Sequence, residues 1–310
     1  MLKQKLKESF PALYRWYQHL QRRVRILHIN QRKKLTEEQY EQELSRQFLQ
    51  SVGYELDWNN LNTFTEKMQW AKIHDKDPLK PLLTDKYQVR EWVAEKIGPE
   101  YLIGLLGVWD RFEDIDFSKL PNRFVLKATH GCKSNIIVKD KLAFDVKDAK
   151  QKFHDWFDMD FGFKYLELHY SKIRPRIVAE EFIETEMNDL QDYKFLCFGG
   201  QPKFCWVDMD RSSNHTRNVY DLNWELQPWT QGTLAHYEKP IEKPKNFDKM
   251  IEIATKLSEG FSHVRVDLYN VNGKIYFGEM TFTGGGGIEP LYPAEYDREV
   301  GALWELPRSK

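Results

Sequence analysis

At Pro121 the chain changes its hydrophobic period, and that switch limits the folds open to it. Ahead of it, apolar residues recur at three- and four-residue steps between helix caps. Thr36 with Gln39 reads as a capping box, Tyr40, Leu44 and Phe48 form a stripe, and Gly53 closes the helix. Thr63 with Glu66 opens a second helix through Trp70 and Ile73, and Thr84 is expected to open a third that runs to Gly98. Beyond Pro121 the pattern turns to short β-type runs at 123–127, 135–138, 176–183, 193–198, 203–208, 264–269 and 274–280, with helices expected at 146–158 and 247–259. Gly199-Gly200 and Asn272-Gly273 mark hairpin turns. Strands joined by such turns are antiparallel, so the expected class is α+β rather than an alternating α/β fold.

Charge and cysteine content exclude several functions. The 46 Lys and Arg residues nearly balance 47 Asp and Glu, which argues against a dedicated nucleic-acid binder. The best apolar run, Tyr101 to Trp109, is well short of the ~20 residues a membrane span needs. No apolar segment of signal-peptide type follows the basic N-terminus, so a cytoplasmic location is expected. Cys132, Cys197 and Cys205 include no CxxC pair and are read as reduced thiols. Residues 1 to 34 hold ten Lys or Arg and one acid, Glu8, for a net charge of +9, which leaves −10 for the other 276. Within that arm Phe10, Leu13, Tyr14, Trp16, Tyr17, Leu20, Val24 and Leu27 follow helical spacing. Such a helix either packs on the body or contacts an anionic membrane or acidic partner.

Five local patterns carry candidate chemistry. In Arg265-Val-Asp267 and Glu279-Met-Thr281, a three-residue loop at Val271-Asn272-Gly273 would set Arg265 opposite Glu279 and Asp267 diagonal to it. Two carboxylates on one face can serve a pair of hard cations; they also fit a salt-bridged hairpin surface. Lys127 ends a strand before a loop of small residues, Gly131 to Asn135, the form of a polyphosphate nest or of an ordinary turn beside an exposed lysine. Lys86 and Arg90, four apart on the helix expected from Thr84, place cations against the helix dipole unless an anion or an acid compensates. The run 176–184 ends in acids that suit either a nucleotide-binding hinge or a solvated strand end. Gly284 to Gly287 permit close backbone approach to a substrate, or flexibility.

In sequence order, these patterns resemble an ATP-grasp protein, specifically the TupA-like ATP-grasp family named for teichuronopeptide biosynthesis. The strings TEKMQWAKIHDKDPLKPLLTDKYQVREW, LPNRFVLKATHGC, RPRIVAEEFI, DYKFLCFGGQPKF, RVDLY and YFGEMTFTGGGG carry the resemblance. It implies two α+β subdomains enclosing a nucleotide: an arm at 1–35, a helical region at 36–117, a lid at 118–183 and a catalytic subdomain at 184–310. It implies that Lys127, with Lys86 and Arg90, meets the phosphates of ATP, and that Gly131, Lys133, Ser134 and Asn135 belong to a loop that covers them. Glu180, Glu181, Phe182 and Ile183 would form the adenine hinge, Asp192 or Glu184 would hold the ribose, and Lys194 a terminal phosphate or substrate. Asp267 and Glu279 would be Mg²⁺ ligands, joined by Thr281 where many ATP-grasp ligases have Asn. Arg265 would stabilise the acyl transition state, with Gly285 beside the substrate. The implied function is an ATP- and Mg²⁺-dependent ligase. It would join an amine or amino acid to a carboxylate of a glycan precursor in bacterial surface-polysaccharide biosynthesis. A kinase on the same fold and a non-catalytic nucleotide-binding protein are the rivals.

Overall fold

The computed structural model describes residues 11–185, 190–210 and 215–307. The chain opens with helix α1 (Pro11–Arg32); Phe10 and the lysines before it lie outside the described residues. Helix α2 (Glu37–Val52) has the expected Thr36/Gln39 capping box and ends on Gly53 in the left-handed region, and α3 (Phe64–Ile73) has the Thr63/Glu66 box.

The helix expected from Thr84 does not form. Thr84 is instead the last residue of α4 (Leu79–Thr84), and α5 (Val89–Ile97) starts five residues later. The Asp77 carboxylate accepts from the Leu79 amide at 2.8 Å, which starts a helix early. The Asp85 Oδ1 then accepts from the amides of Tyr87 and Gln88 at 2.8 and 3.2 Å and holds a turn between the two helices. Lys86 therefore lies in that turn and not on a helix.

Two antiparallel sheets follow. The first joins β1 (Leu105–Trp109), β2 (Phe124–Ala128), β3 (Asn135–Val138) and, after α6 (Val146–Phe157) and the single turn α7 (Gly162–Tyr165), β4 (Ile177–Glu181), in the order β1-β4-β2-β3. Strand β1 comes from the stretch expected to be wholly helical; Gly107 within it and Gly104 just before it hide the alternation. Phe124, Leu126, Ala128, Ile177 and Ala179 pack on Phe153 and Ala149 of α6. Their neighbours Lys127 and Glu180 consequently point from the opposite face.

The second sheet has the order β10-β9-β5-β6-β7, built from β5 (Asp192–Phe198), β6 (Gln201–Met209), β7 (Thr216–Asp221), β9 (His263–Val271) and β10 (Lys274–Thr281). A short pair, β8 (Thr230–Gln231) with β11 (Leu291–Tyr292), lies outside it. One face packs Tyr193, Phe195, Val264, Val266 and Leu268 on α8 (Phe247–Ser258). The other packs Leu196, Phe198, Trp206 and Val219 on α3, together with Val300 of α9 (Ala294–Ala302) and Trp304 just after it. Strands β7, β8 and β11 and helix α9 were not expected from the sequence, because polar residues interrupt their patterns.

The β9–β10 register corrects the sequence reading. Lys274 pairs with Val271, so the loop is the two residues Asn272-Gly273, both with positive φ, and not three. Alone, that loop would put Asp267 and Glu279 on opposite faces. A bulge at Gly278 adds one residue between the pairs Phe277–Leu268 and Glu279–Asp267, which brings the carboxylates directly opposite each other. A Cβ at Gly278 would sit 2.9 Å from the Asp267 carbonyl oxygen, so glycine is needed there.

Candidate active site

The face of the five-stranded sheet that carries Leu196 and Trp206 ends in charged residues, and register places them in a row. Glu279 lies opposite Asp267, Asp267 opposite Lys194, Asp192 opposite Asp208, and Asp208 opposite Arg217. Two of these pairs set acid against acid, and Arg265, Lys194 and Arg217 supply the compensating charge. The Lys194 Nζ donates to Asp192 Oδ2 at 2.5 Å and to Asp267 Oδ2 at 2.9 Å. Arg265 clamps Asp267 through Nε and Nη2, both at 2.7 Å, and its Nη2 also reaches Thr281 Oγ1 at 3.1 Å and Glu279 Oε1 at 3.3 Å. Arg217 grips Asp208 with Nε at 2.6 Å and Nη2 at 3.1 Å.

Burial by itself would push the Asp267 carboxyl up, but Arg265 and Lys194 hold it below the usual carboxylate range. Lys194 shows the converse balance: burial opposes its charge, and Asp192 and Asp267 raise its pKa above the ordinary value. Both groups are thus charged in the folded protein. Glu279, half exposed at the edge of the row, accepts from the Thr281 hydroxyl at 3.2 Å. Two carboxylates and a hydroxyl are hard oxygen donors. They fit Mg²⁺, which takes one or two protein carboxylates and completes its shell with phosphate oxygens and water. Among the described residues no cluster of three or more His, Cys, Asp or Glu forms a closed metal cage.

A second group of charged candidates lies on the face of the four-stranded sheet opposite Phe124 and Leu126. The Lys127 Nζ donates to Glu180 Oε2 at 2.5 Å, and the Arg90 Nη1 donates to Glu180 Oε1 at 3.1 Å. Arg90, in the first turn of α5, thereby has the acidic neighbour its position calls for. The Lys86 amide donates to the Thr129 carbonyl, and its Nζ donates to the Gly131 carbonyl at 2.5 Å, which ties the α4–α5 turn to the β2–β3 loop. Burial lowers the Lys86 pKa, and its ammonium senses Glu279 as well as Lys127, so this lysine links the two halves of the site.

The remaining sequence candidates are spread more widely. Gly131 packs under Phe161 and Ser134 is buried within the loop, while Lys133 and Asn135 face solvent. Glu181 is exposed, and Phe182 and Ile183 are half-buried. Glu184 pairs with Arg123, which also lies over the Phe182 ring, beside an open groove of about 620 Å³ lined by Leu106, Leu120 and Pro121. Asp192 lies in the charged row and Glu184 outside it. Gly285 has a positive φ, and a Cβ there would meet Glu289 Oε2 at 2.6 Å; a Cβ on neighbouring Gly284 would come within 3.0 Å of Arg265 Nη1. The glycine loop therefore runs beside the guanidinium.

Sequence reasoning missed Asp85, Arg176, Asp208, Arg217, Lys72 and Glu167. Asp85 is fully buried and accepts from Arg176 Nη2 at 3.0 Å, which anchors the turn that carries Lys86. Lys72 and Glu167 stand behind the glycine loop. Glu167 accepts from the Thr283 hydroxyl, and Lys72 donates to Gln69, whose amide in turn donates to the Gly287 carbonyl. Burial pushes Lys72 down to about 8 and Glu167 up. For Lys72 the one signal was a lysine inside an otherwise apolar helical pattern.

A family model described as TupA-like ATPgrasp matches residues 66–305. The chain belongs to the TupA-like ATP-grasp family. The matched span includes both sheets, the charged row and the glycine loop, and the TupA-like chain has the α+β architecture its fold class requires. Solved structures similar to it include D-alanine–D-alanine ligase from Bacillus anthracis, at 17% identity and a TM-score of 0.38 over 66% of this chain and 58% of that one. The D-alanine–D-alanine ligase from Helicobacter pylori aligns at 15% identity and a TM-score of 0.36, over 73% of this chain and 62% of that one. N5-carboxyaminoimidazole ribonucleotide synthetase from Thermus thermophilus aligns at 11% and 0.37, over 65% and 45%. The TupA-like chain spans about six tenths of the length of the two D-alanine–D-alanine ligases. No curated protein matches it.

Proposed function

We propose that the protein is an ATP- and Mg²⁺-dependent carboxylate–amine ligase that works through an acyl phosphate. Its substrates would be a carboxylate of a surface-glycan precursor and an amine or amino acid. The observation that supports this best is the direct opposition of Asp267 and Glu279, both held by the Arg265 guanidinium, with the Lys86 ammonium near enough to sense both Glu279 and Lys127. Phosphoryl transfer makes little demand on covalent chemistry and much on placed charge, and these residues are placed charge.

In this reading Lys127, Lys86 and Arg90 orient the ATP phosphates, and the β2–β3 loop covers them. Glu180 to Ile183 meet the adenine, and Asp192 the ribose. Asp267, Glu279 and Thr281 hold Mg²⁺, which when bound neutralises charge on the transferring phosphoryl group. A substrate carboxylate oxygen attacks the γ-phosphorus, and the bond to the bridging oxygen breaks with its electrons leaving on ADP. The amine nitrogen then attacks the acyl carbon, phosphate departs with the C–O electron pair, and the nitrogen loses a proton to give the amide. Arg265, beside the glycine loop, would stabilise the oxyanion formed at that carbon.

Hydroxylamine tests this reading without knowledge of the natural amine. With a uronic-acid-containing acceptor it should intercept the mixed anhydride and yield a hydroxamate together with ADP. A phosphorylated sugar that resists hydroxylamine would establish a kinase instead, and AMP with pyrophosphate would rule out the acyl-phosphate route.

A further inference from the structure

We propose that the outward face of α1 docks on an anionic lipid bilayer. Leu13, Tyr17, Leu20, Val24 and Leu27 follow one another at alternating four- and three-residue steps and are all 37 to 60% exposed. At ~100° per residue they fall within an arc of about 80° on the helix. The attachment to the body lies on the other side. Arg22 reaches Asp155 and Asp158 at 2.8 and 2.7 Å, and Ile29 is buried with Met159 and Phe161. Arg32 binds Glu43 at 2.8 Å and the Lys164 carbonyl at 2.6 Å. On the same wheel Arg22 and Ile29 are roughly 160° to 180° from Leu13. The apolar row is thus turned away from the body by a helix that the body holds firmly.

Charge decides what covers that row. The helix carries Arg15, Arg22, Arg23, Arg25 and Arg32 and no acidic residue, and Lys3, Lys5 and Lys7 precede it in sequence. Two copies packed seam to seam would set arginines against arginines with no acid on either helix to offset them. An anionic bilayer instead accepts the apolar row between its acyl chains and the exposed Arg23 and Arg25 among its headgroups. Tyr17 adds an aromatic ring of the type that settles at that interface. No described helix is long and apolar enough to cross a membrane, so the contact is peripheral. It does not depend on the reaction proposed above.

Co-sedimentation of the full chain with vesicles tests the contact. Partition onto mixed phosphatidylcholine–phosphatidylglycerol vesicles should exceed that onto phosphatidylcholine alone by about tenfold or more, and added salt should weaken it. Replacing Leu20, Val24 and Leu27 together by Ser should lower partition about tenfold with an unchanged melting temperature, because these side chains leave the body's core untouched. Arg23→Gln with Arg25→Gln should abolish the preference for phosphatidylglycerol, which keeps the test open if the serine variant misfolds. Equal partition of the wild type and both variants would overturn the proposal. So would a dimer in light scattering that the serine variant dissolves, or binding to an acidic protein but to no vesicle.

Discussion

Asp208 and Glu279 stand on opposite sides of Lys194 in the same charged row and differ in what they do for stability. Asp208 is buried and shares two hydrogen bonds with an equally buried Arg217, so Asp208→Asn leaves a guanidinium charge short of its partner. That substitution should cost about 3–5 kcal/mol in urea denaturation. Glu279 is half exposed, and a glutamine can still accept from Thr281. Glu279→Gln should change unfolding free energy by no more than about 0.5 kcal/mol while abolishing hydroxamate formation. A large stability loss in Glu279→Gln would make that residue structural. Of the row, Lys194, Arg265, Asp267 and Glu279 were legible because each lies within a short, recognisable string. Asp208 and Arg217 were not, since the pair exists only through a strand whose sequence, TRNVYD, lacks an apolar alternation.

At the scale of elements, the β9–β10 hairpin shows how the shared face of two carboxylates can be inferred through a wrong register, since Asp267 lies opposite Glu279 rather than diagonal to it and Arg265 lies opposite Thr281 rather than Glu279. A three-residue loop and a two-residue turn with a bulge both place the carboxylates on one face, and the chain uses the second. Its signals are present in the sequence: Asn272-Gly273 is the preferred pair for a two-residue turn, and Gly278 is an isolated glycine inside a strand. Gly278→Ala forces a methyl group against the Asp267 carbonyl. The variant should lose about 1–3 kcal/mol of stability and, because the strand beyond must shift, most of its activity. Denaturation and hydroxamate assays on the same preparation would check both, and full activity would mean that the bulge is dispensable. The missing helix at Thr84 has a comparable cause: two aspartates, Asp77 and Asp85, divide what periodicity alone reads as continuous.

For the molecule as a whole, the two sheets have separate cores, and groups withdrawn from water, His263, His169 and Asp297 among them, shape its response to acid. Burial lowers His263 and His169 to about 3, so both are neutral when folded and bind protons on unfolding below about pH 6.5. Their contribution to stability is present above pH 6.5 and lost as pH falls toward 3. Asp297, raised by burial to about 6, works in the opposite sense, since it gains its proton while folded and stabilises as pH falls through 6. His130, lowered by burial, sides with the two histidines, and Glu167, raised by burial, sides with Asp297. Asp297→Asn removes a group that stabilises in acid, so stability should fall more steeply between pH 6 and 4.5 in denaturation at stepped pH, and an unchanged slope would remove Asp297 from the balance. The family was legible because its strings span both sheets, whereas this response was not, because it depends on burial depth. Strand β5 is the middle of five and all seven of its residues are buried. Its amide hydrogens should therefore exchange with deuterium only when the whole domain unfolds, as slowly as any in the molecule, while the amides of the β2–β3 loop exchange by local opening. Lys194 and Asp192 would then be fixed points against which the other half of the site must do all the moving.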